Sequence, residues 1–122
     1  MRIGGAISNG RLQMENYKVI PTKSAENDLE GIYLYIATQA LMPIAAVKKV
    51  KRLKDSIVKK LSFMPQKYRL VNDSYLASIR YRMMNVENYI VFFSVEENKK
   101  VVWVERVIHG ARDWKRLLPE ET

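Results

Sequence analysis

Apolar and polar positions change their period several times along the chain, and each change marks an element. Tyr17 to Pro21 is a short apolar run with β-branched Val19 and Ile20, ended by a proline that has no N–H for a ladder; it predicts a short strand, suited to a sheet edge. Ala25, Leu29, Ile32, Tyr33 and Ile36 then recur at helical spacing behind Thr22 or Ser24 as cap, with Glu26 and Asp28 near the positive end of the helix dipole. This helix is expected to end between Gln39 and Met42. Pro43 suits the first turn of a second helix, in which Val47, Val50, Leu53, Ile57 and Leu61 form one apolar stripe. Lys48, Lys49, Lys51, Arg52, Lys54, Lys59 and Lys60 crowd its other side.

Helices joined by so few residues should lie antiparallel and bury their stripes against later elements. Phe63 to Ser74, with Pro65, Asn72 and Asp73 and no sustained period, reads as a loop. Three runs rich in Val, Ile, Tyr, Phe and Trp follow, Tyr75–Met84, Tyr89–Val95 and Val101–His109, and they predict antiparallel strands with breaks at Asn85–Asn88 and Glu96–Lys100. Trp103 and the Phe92–Phe93 pair fit sheet packing. After Gly110, Ala111 to Leu118 can form a short helix before Pro119, with Trp114, Leu117 and Leu118 on one side, covering the end of the core or docking a partner. The order implies an α+β fold: a small, mainly antiparallel sheet with two N-terminal helices packed on one face and a short C-terminal helix, the other face being left for a ligand.

Length and composition narrow this further. A chain of 122 residues, 48% apolar, has room for one core, and residues 14–122 are read as a single domain. Residues 1–13 hold three glycines and no aromatic residue, and are read as a disordered or non-native N-terminal extension. No apolar run is long enough to span a membrane, so a soluble, cytoplasmic protein is expected. The absence of cysteine excludes disulfides and thiolate sites, and His109 is the only histidine, so neither a metal nor a cofactor is expected.

The formal charge of +8 is uneven. Residues 1–45 carry four Lys/Arg and four Asp/Glu, whereas residues 46–122 carry seventeen and nine. A concentrated basic surface attracts polyanions such as nucleic acid or an acidic protein, although a basic helix face can equally be plain solvated surface. Contact with a target or nucleic acid is assigned to Lys48, Lys51, Arg52, Arg106 and Arg112.

The element order, together with Asn88-Tyr89-Ile90-Val91-Phe92-Phe93, Arg106-Val107-Ile108-His109-Gly110-Ala111-Arg112-Asp113 and the early Ala25, Asp28, Leu29 and Tyr35-Ile36, resembles the RelE/ParE toxin family from about Tyr17 to Leu118. The resemblance implies a bacterial type II toxin restrained by a cognate antitoxin that wraps its sheet and helices. It leaves two targets: RelE-like toxins cut messenger RNA in the ribosomal A site, whereas ParE-like toxins poison DNA gyrase. A toxin-like protein that only binds its antitoxin is a third reading.

RNA cleavage needs cations on the phosphate, a base for the 2′-hydroxyl and an acid for the leaving oxygen. Arg80, Arg82 and His109 are the catalytic candidates under the RelE-like reading, with Arg106 and Tyr89 also available. If Tyr75–Met84 is a regular strand, Arg80 and Arg82 share one face and could clamp a phosphate, or simply pair with acidic neighbours. His109 could transfer a proton or merely hold the strand end. The chain continues nine residues past Asp113, and the run after His109 looks more like the ParE side, so gyrase inhibition is the preferred expectation.

Overall fold

The computed structural model describes residues 16–112 and residue 118. Strand β1 (Lys18–Pro21) leads into helix α1 (Lys23–Leu34), whose N-cap Thr22 accepts the Ala25 N–H. The coil then widens into a π-helical turn (Tyr35–Gln39) before helix α2 (Pro43–Leu61), with Pro43 in its first turn, where a missing N–H costs nothing. A 3₁₀ turn (Pro65–Lys67) and a five-residue helix α3 (Ser74–Ser78) precede β2 (Arg82–Val86), β3 (Tyr89–Glu96) and β4 (Val101–His109).

The four strands form one sheet in the order β1-β4-β3-β2, with β2, β3 and β4 antiparallel and β1 parallel to β4. The fold class is therefore α+β, and β1 is an edge strand ending on its proline. Helices α1 and α2 cover one face. There Val91, Phe93, Val102, Val104 and Val107 meet Ala25, Leu29, Leu53, Ile57 and Leu61.

Two features of the sequence reading need correction. The strand expected over Tyr75–Met84 begins only at Arg82, because Asp73 accepts the Leu76 N–H at 3.1 Å and starts α3. Arg80 then takes a left-handed backbone (φ 64°) that turns the chain into β2. The α2 stripe also differs at its first position. Ala46, Val50, Leu53, Ile57 and Leu61 are buried, whereas Val47, one residue further round the helix, is 55% exposed.

The face opposite the helices is partly occupied rather than free. Val71, Leu76 and Leu118 pack there on Phe92 and Ile108, so the long loop and α3 roof a second, smaller core. The neighbours Phe92 and Phe93 serve different cores, both fully buried, because successive strand residues point to opposite faces. A register shift beside them pairs Phe92 with Arg106 and Phe93 with Val104. Glu105 is the extra residue of this bulge, which reverses the alternation of β4 so that both Val104 and Val107 reach the helix side. The helix expected over Ala111–Leu118 falls mostly outside the described residues, as do Trp114, Leu117 and the 1–13 extension.

Phe93→Ala should remove the largest fully buried side chain of the main core and lower stability by about 3–5 kcal/mol, read from the shift of the chemical denaturation midpoint.

Candidate functional site

Past Pro21, β4 has no strand on its outer side, and α1 takes over its hydrogen bonds. The Thr22 N–H donates to the Val104 carbonyl (2.9 Å), and the Thr22 hydroxyl donates to the Glu105 carbonyl (3.1 Å). Six residues on, Asp28 Oδ2 accepts both the Val107 N–H (2.9 Å) and Arg106 Nε (2.7 Å), while Oδ1 accepts Arg106 Nη2 (2.9 Å). This two-pronged pair is mostly shielded from water and pushes the Arg106 pKa upward, chiefly through the hydrogen bonds to Asp28. It fastens α1 to the sheet at the bulge.

Beyond this clamp lies a groove of about 630 Å³ between α1 and the end of β4, bordered by Asn27, Gly31, Tyr35, Tyr89, His109 and Arg112. Gly31 faces open space there, since a Cβ on it would meet nothing within 4 Å. Because the Val107 N–H points away from β3 to reach Asp28, strand alternation directs the Val107 carbonyl and the His109 N–H to the same outer side. A groove with an apolar wall and an open strand edge can accept an extended peptide.

His109 closes the far end. Its ring meets that of Tyr89 edge to face (5.6 Å, 83°), and Nδ1 accepts the Ala111 N–H at 3.1 Å, so the histidine holds the turn after β4. Lys49 Nζ lies 5.7 Å from the Tyr89 ring centre and pairs with Glu87 at 2.5 Å; Arg52 pairs with the same carboxylate at 3.1 Å. Hydrogen bonds from Arg52 and then Lys49 pull the Glu87 pKa down to about 2. Glu87 sits in the β2–β3 turn with φ 55°, a backbone that non-glycine residues rarely adopt.

The residues proposed for catalysis do not converge. Arg80 is exposed on the turn after α3 and shares no strand face with Arg82. Arg82 Nη1 donates to the Tyr68 carbonyl (2.6 Å) and the Gln66 carbonyl (3.3 Å), and burial, then Arg80, lowers its pKa. It therefore ties the 3₁₀ turn to β2. Arg82 pairs with Phe93 and His109 with Tyr89, four residues apart along β3, or about 13 Å at ordinary strand rise. Among the residues assigned to target contact, Lys48 is exposed, Lys51 pairs with Asp55 (3.4 Å), Arg52 holds Glu87 and Arg112 borders the groove. Arg106 is the departure, since Asp28 engages its guanidinium.

The sequence reading also missed a polar group on the opposite sheet face. Ser94 Oγ donates to Glu105 Oε2 (2.7 Å), and burial, reinforced by Glu105, pushes the Tyr81 hydroxyl up to about 12. Asp28 was legible only as a helix N-terminal acid, although its place beside Ala25, Leu29 and Ile32 on the inward stripe signals a buried partner. Among the described residues no group of three His, Cys, Asp or Glu could hold a metal ion, and no helix is long and apolar enough to cross a membrane.

Residues 19–114 match the family described as ParE toxin of the type II toxin-antitoxin system, parDE. The fold is similar to that in the chromosomal ParDE toxin-antitoxin system of P. aeruginosa, with a TM-score of 0.60 and 21% identity over 76% of this chain and 95% of that one. It is also similar to that in the RelBE2 toxin-antitoxin complex of Mycobacterium tuberculosis, with a TM-score of 0.60 and 19% identity over 82% of this chain and 98% of that one. No curated protein sequence matches significantly.

Asp28→Ala should remove the carboxylate that Arg106 and the Val107 N–H share and cost about 2–3 kcal/mol in denaturant unfolding. Glu87 provides a separate pH test. Its folded pKa lies below the ordinary 4.5, so its contribution is complete above that value and is lost as pH falls towards about 2. Thermal melts across this window should show a smaller acid-induced loss for Glu87→Gln than for the parent, and the difference should shrink in high salt because the pair faces water.

Proposed function

The chain belongs to the ParE toxin family of type II toxin-antitoxin systems, and from that premise we propose that it halts bacterial growth by poisoning DNA gyrase until a cognate antitoxin covers it. The observation that carries the choice of target is the separation of His109 from the Arg80–Arg82 end of β2. Phosphate clamp and proton donor must lie within hydrogen-bond reach of the same scissile phosphate. Here Arg82 directs Nη1 to two loop carbonyls and His109 directs Nδ1 to its own turn, and the two stand about 13 Å apart along the strands. A poison that acts by binding needs no such convergence. It needs surface, which the exposed Lys48 and the groove-edge Arg112 supply.

The antitoxin, in this reading, lays an extended segment into the groove beside β4 and pairs with the free edge past Val107. Ribosome-dependent messenger RNA cleavage is the competing enzyme reading, and binding of an antitoxin without toxicity is the third.

The deciding experiment induces the chain alone in a bacterial host, and follows growth, gyrase–DNA cleavage complexes and messenger RNA ends together. Growth arrest with trapped gyrase and intact messages is expected, and Arg82→Ala and His109→Ala should change toxicity no more than their effect on folded protein level. New RNA ends inside translated codons, abolished by either substitution, would establish the nuclease instead. Normal growth with neither signal would leave the binding-only reading.

A further inference from the structure

Helix α1 is a ridge between two grooves. The second, of about 700 Å³, lies on its solvent side against α2, away from the sheet. Its floor is Leu29, Tyr33, Val47 and Val50. Val47 belongs to the apolar periodicity of α2 yet remains 55% exposed, and it shares the groove with Leu29, Tyr33 and Val50, whereas scattered exposed apolar residues would need no explanation. The two walls carry opposite charge. The α1 wall presents Glu26 and Glu30, and the α2 wall presents Lys51 and Lys54, with Asp55 the one acid on the basic side.

We propose that a second copy of this chain occupies this groove, forming a twofold dimer through the α1–α2 hairpins. The argument is charge complementarity combined with symmetry. A twofold axis parallel to the helices places α1 of one copy over α2 of the other, so both acidic walls meet basic walls and all neighbouring helices run antiparallel. The apolar floors then close on each other as the centre of a four-helix bundle. Lys51 must exchange its exposed Asp55 contact for the partner's carboxylates, a small loss because both groups already face water. The inference is independent of the toxin's target.

Sedimentation of the purified full chain over a micromolar to millimolar range tests it. A dimer is expected, weakened by salt and at least about tenfold weaker for Val47→Glu, which places charge in the floor. Glu26→Lys/Glu30→Lys makes both walls basic, and Lys51→Glu/Lys54→Glu makes both acidic; each double variant alone should be monomeric. Mixing the two should restore a heterodimer, because each α1 wall again faces an opposite α2 wall. That recovery also shows that both variants are folded. A parent chain monomeric at every concentration overturns the proposal, as does a dimer indifferent to these substitutions or a mixture that stays monomeric. A chain that is monomeric alone but buries Val47 in its antitoxin complex gives the groove to the antitoxin, and overturns it equally.

Discussion

A strand inside a sheet must place its N–H and C=O groups on both sides, and β4 can do so with strands only as far as Val104, where β1 stops at Pro21. From there Thr22 and Asp28 take the place of a missing strand. The Asp28 carboxylate accepts a backbone N–H and a guanidinium at once, so the angle of α1 to the sheet, the bulge at Glu105 and the direction of Arg106 are one coupled arrangement. Loss of this carboxylate would take an acceptor from a guanidinium and a backbone donor together, which is why the rest of the α1 side depends on it.

The bulge has consequences in both cores. By reversing the alternation of β4 it brings Val104 and Val107 to the same face, opposite β3, whose adjacent Phe92 and Phe93 fill one core each by ordinary alternation. The main core fixes the helical hairpin, and the smaller one fixes α3 and the loop before it. With α1 anchored at its N-terminal half, its two flanks become the walls of separate grooves, one facing the sheet edge and one facing α2. Two binding surfaces on one short helix follow from clamping it along a single line.

Charge is divided in the same way between architecture and surface. Arg82, Arg106, Arg52 and Lys49 all hold a named carbonyl or carboxylate, joining loop to strand, strand to helix or helix to hairpin turn. Each such ion pair reduces the freedom of a cation to leave for a phosphate. The excess positive charge that steers long-range encounter is unaffected by this pairing pattern where it lies on Lys48 and Arg112. The molecule can therefore be strongly basic while several of its cations are engaged in holding the fold.

The α+β class, the order of the principal elements, the two helices and the last two strands were legible in the sequence, because periods of two and 3.6 residues are properties of local backbone geometry. The bounds of β4, Val101–His109, were read correctly for the same reason. Where two local signals compete, composition alone misled: the aromatic and β-branched content of Tyr75–Met84 suggested a strand, but the Asp73 cap started a helix. The candidate site was less legible still. That Arg82 reaches back to Tyr68, that Arg106 turns to Asp28 and that Arg82 and His109 stand four residues apart along β3 depend on register, on a bulge and on contacts between residues up to 78 positions apart. The sequence by itself determined which segments are amphipathic and where charge accumulates. Only the tertiary structure decided which charges are spent on holding the fold and which remain for a partner, because an ion pair is selected by distance in space, which local periodicity does not encode.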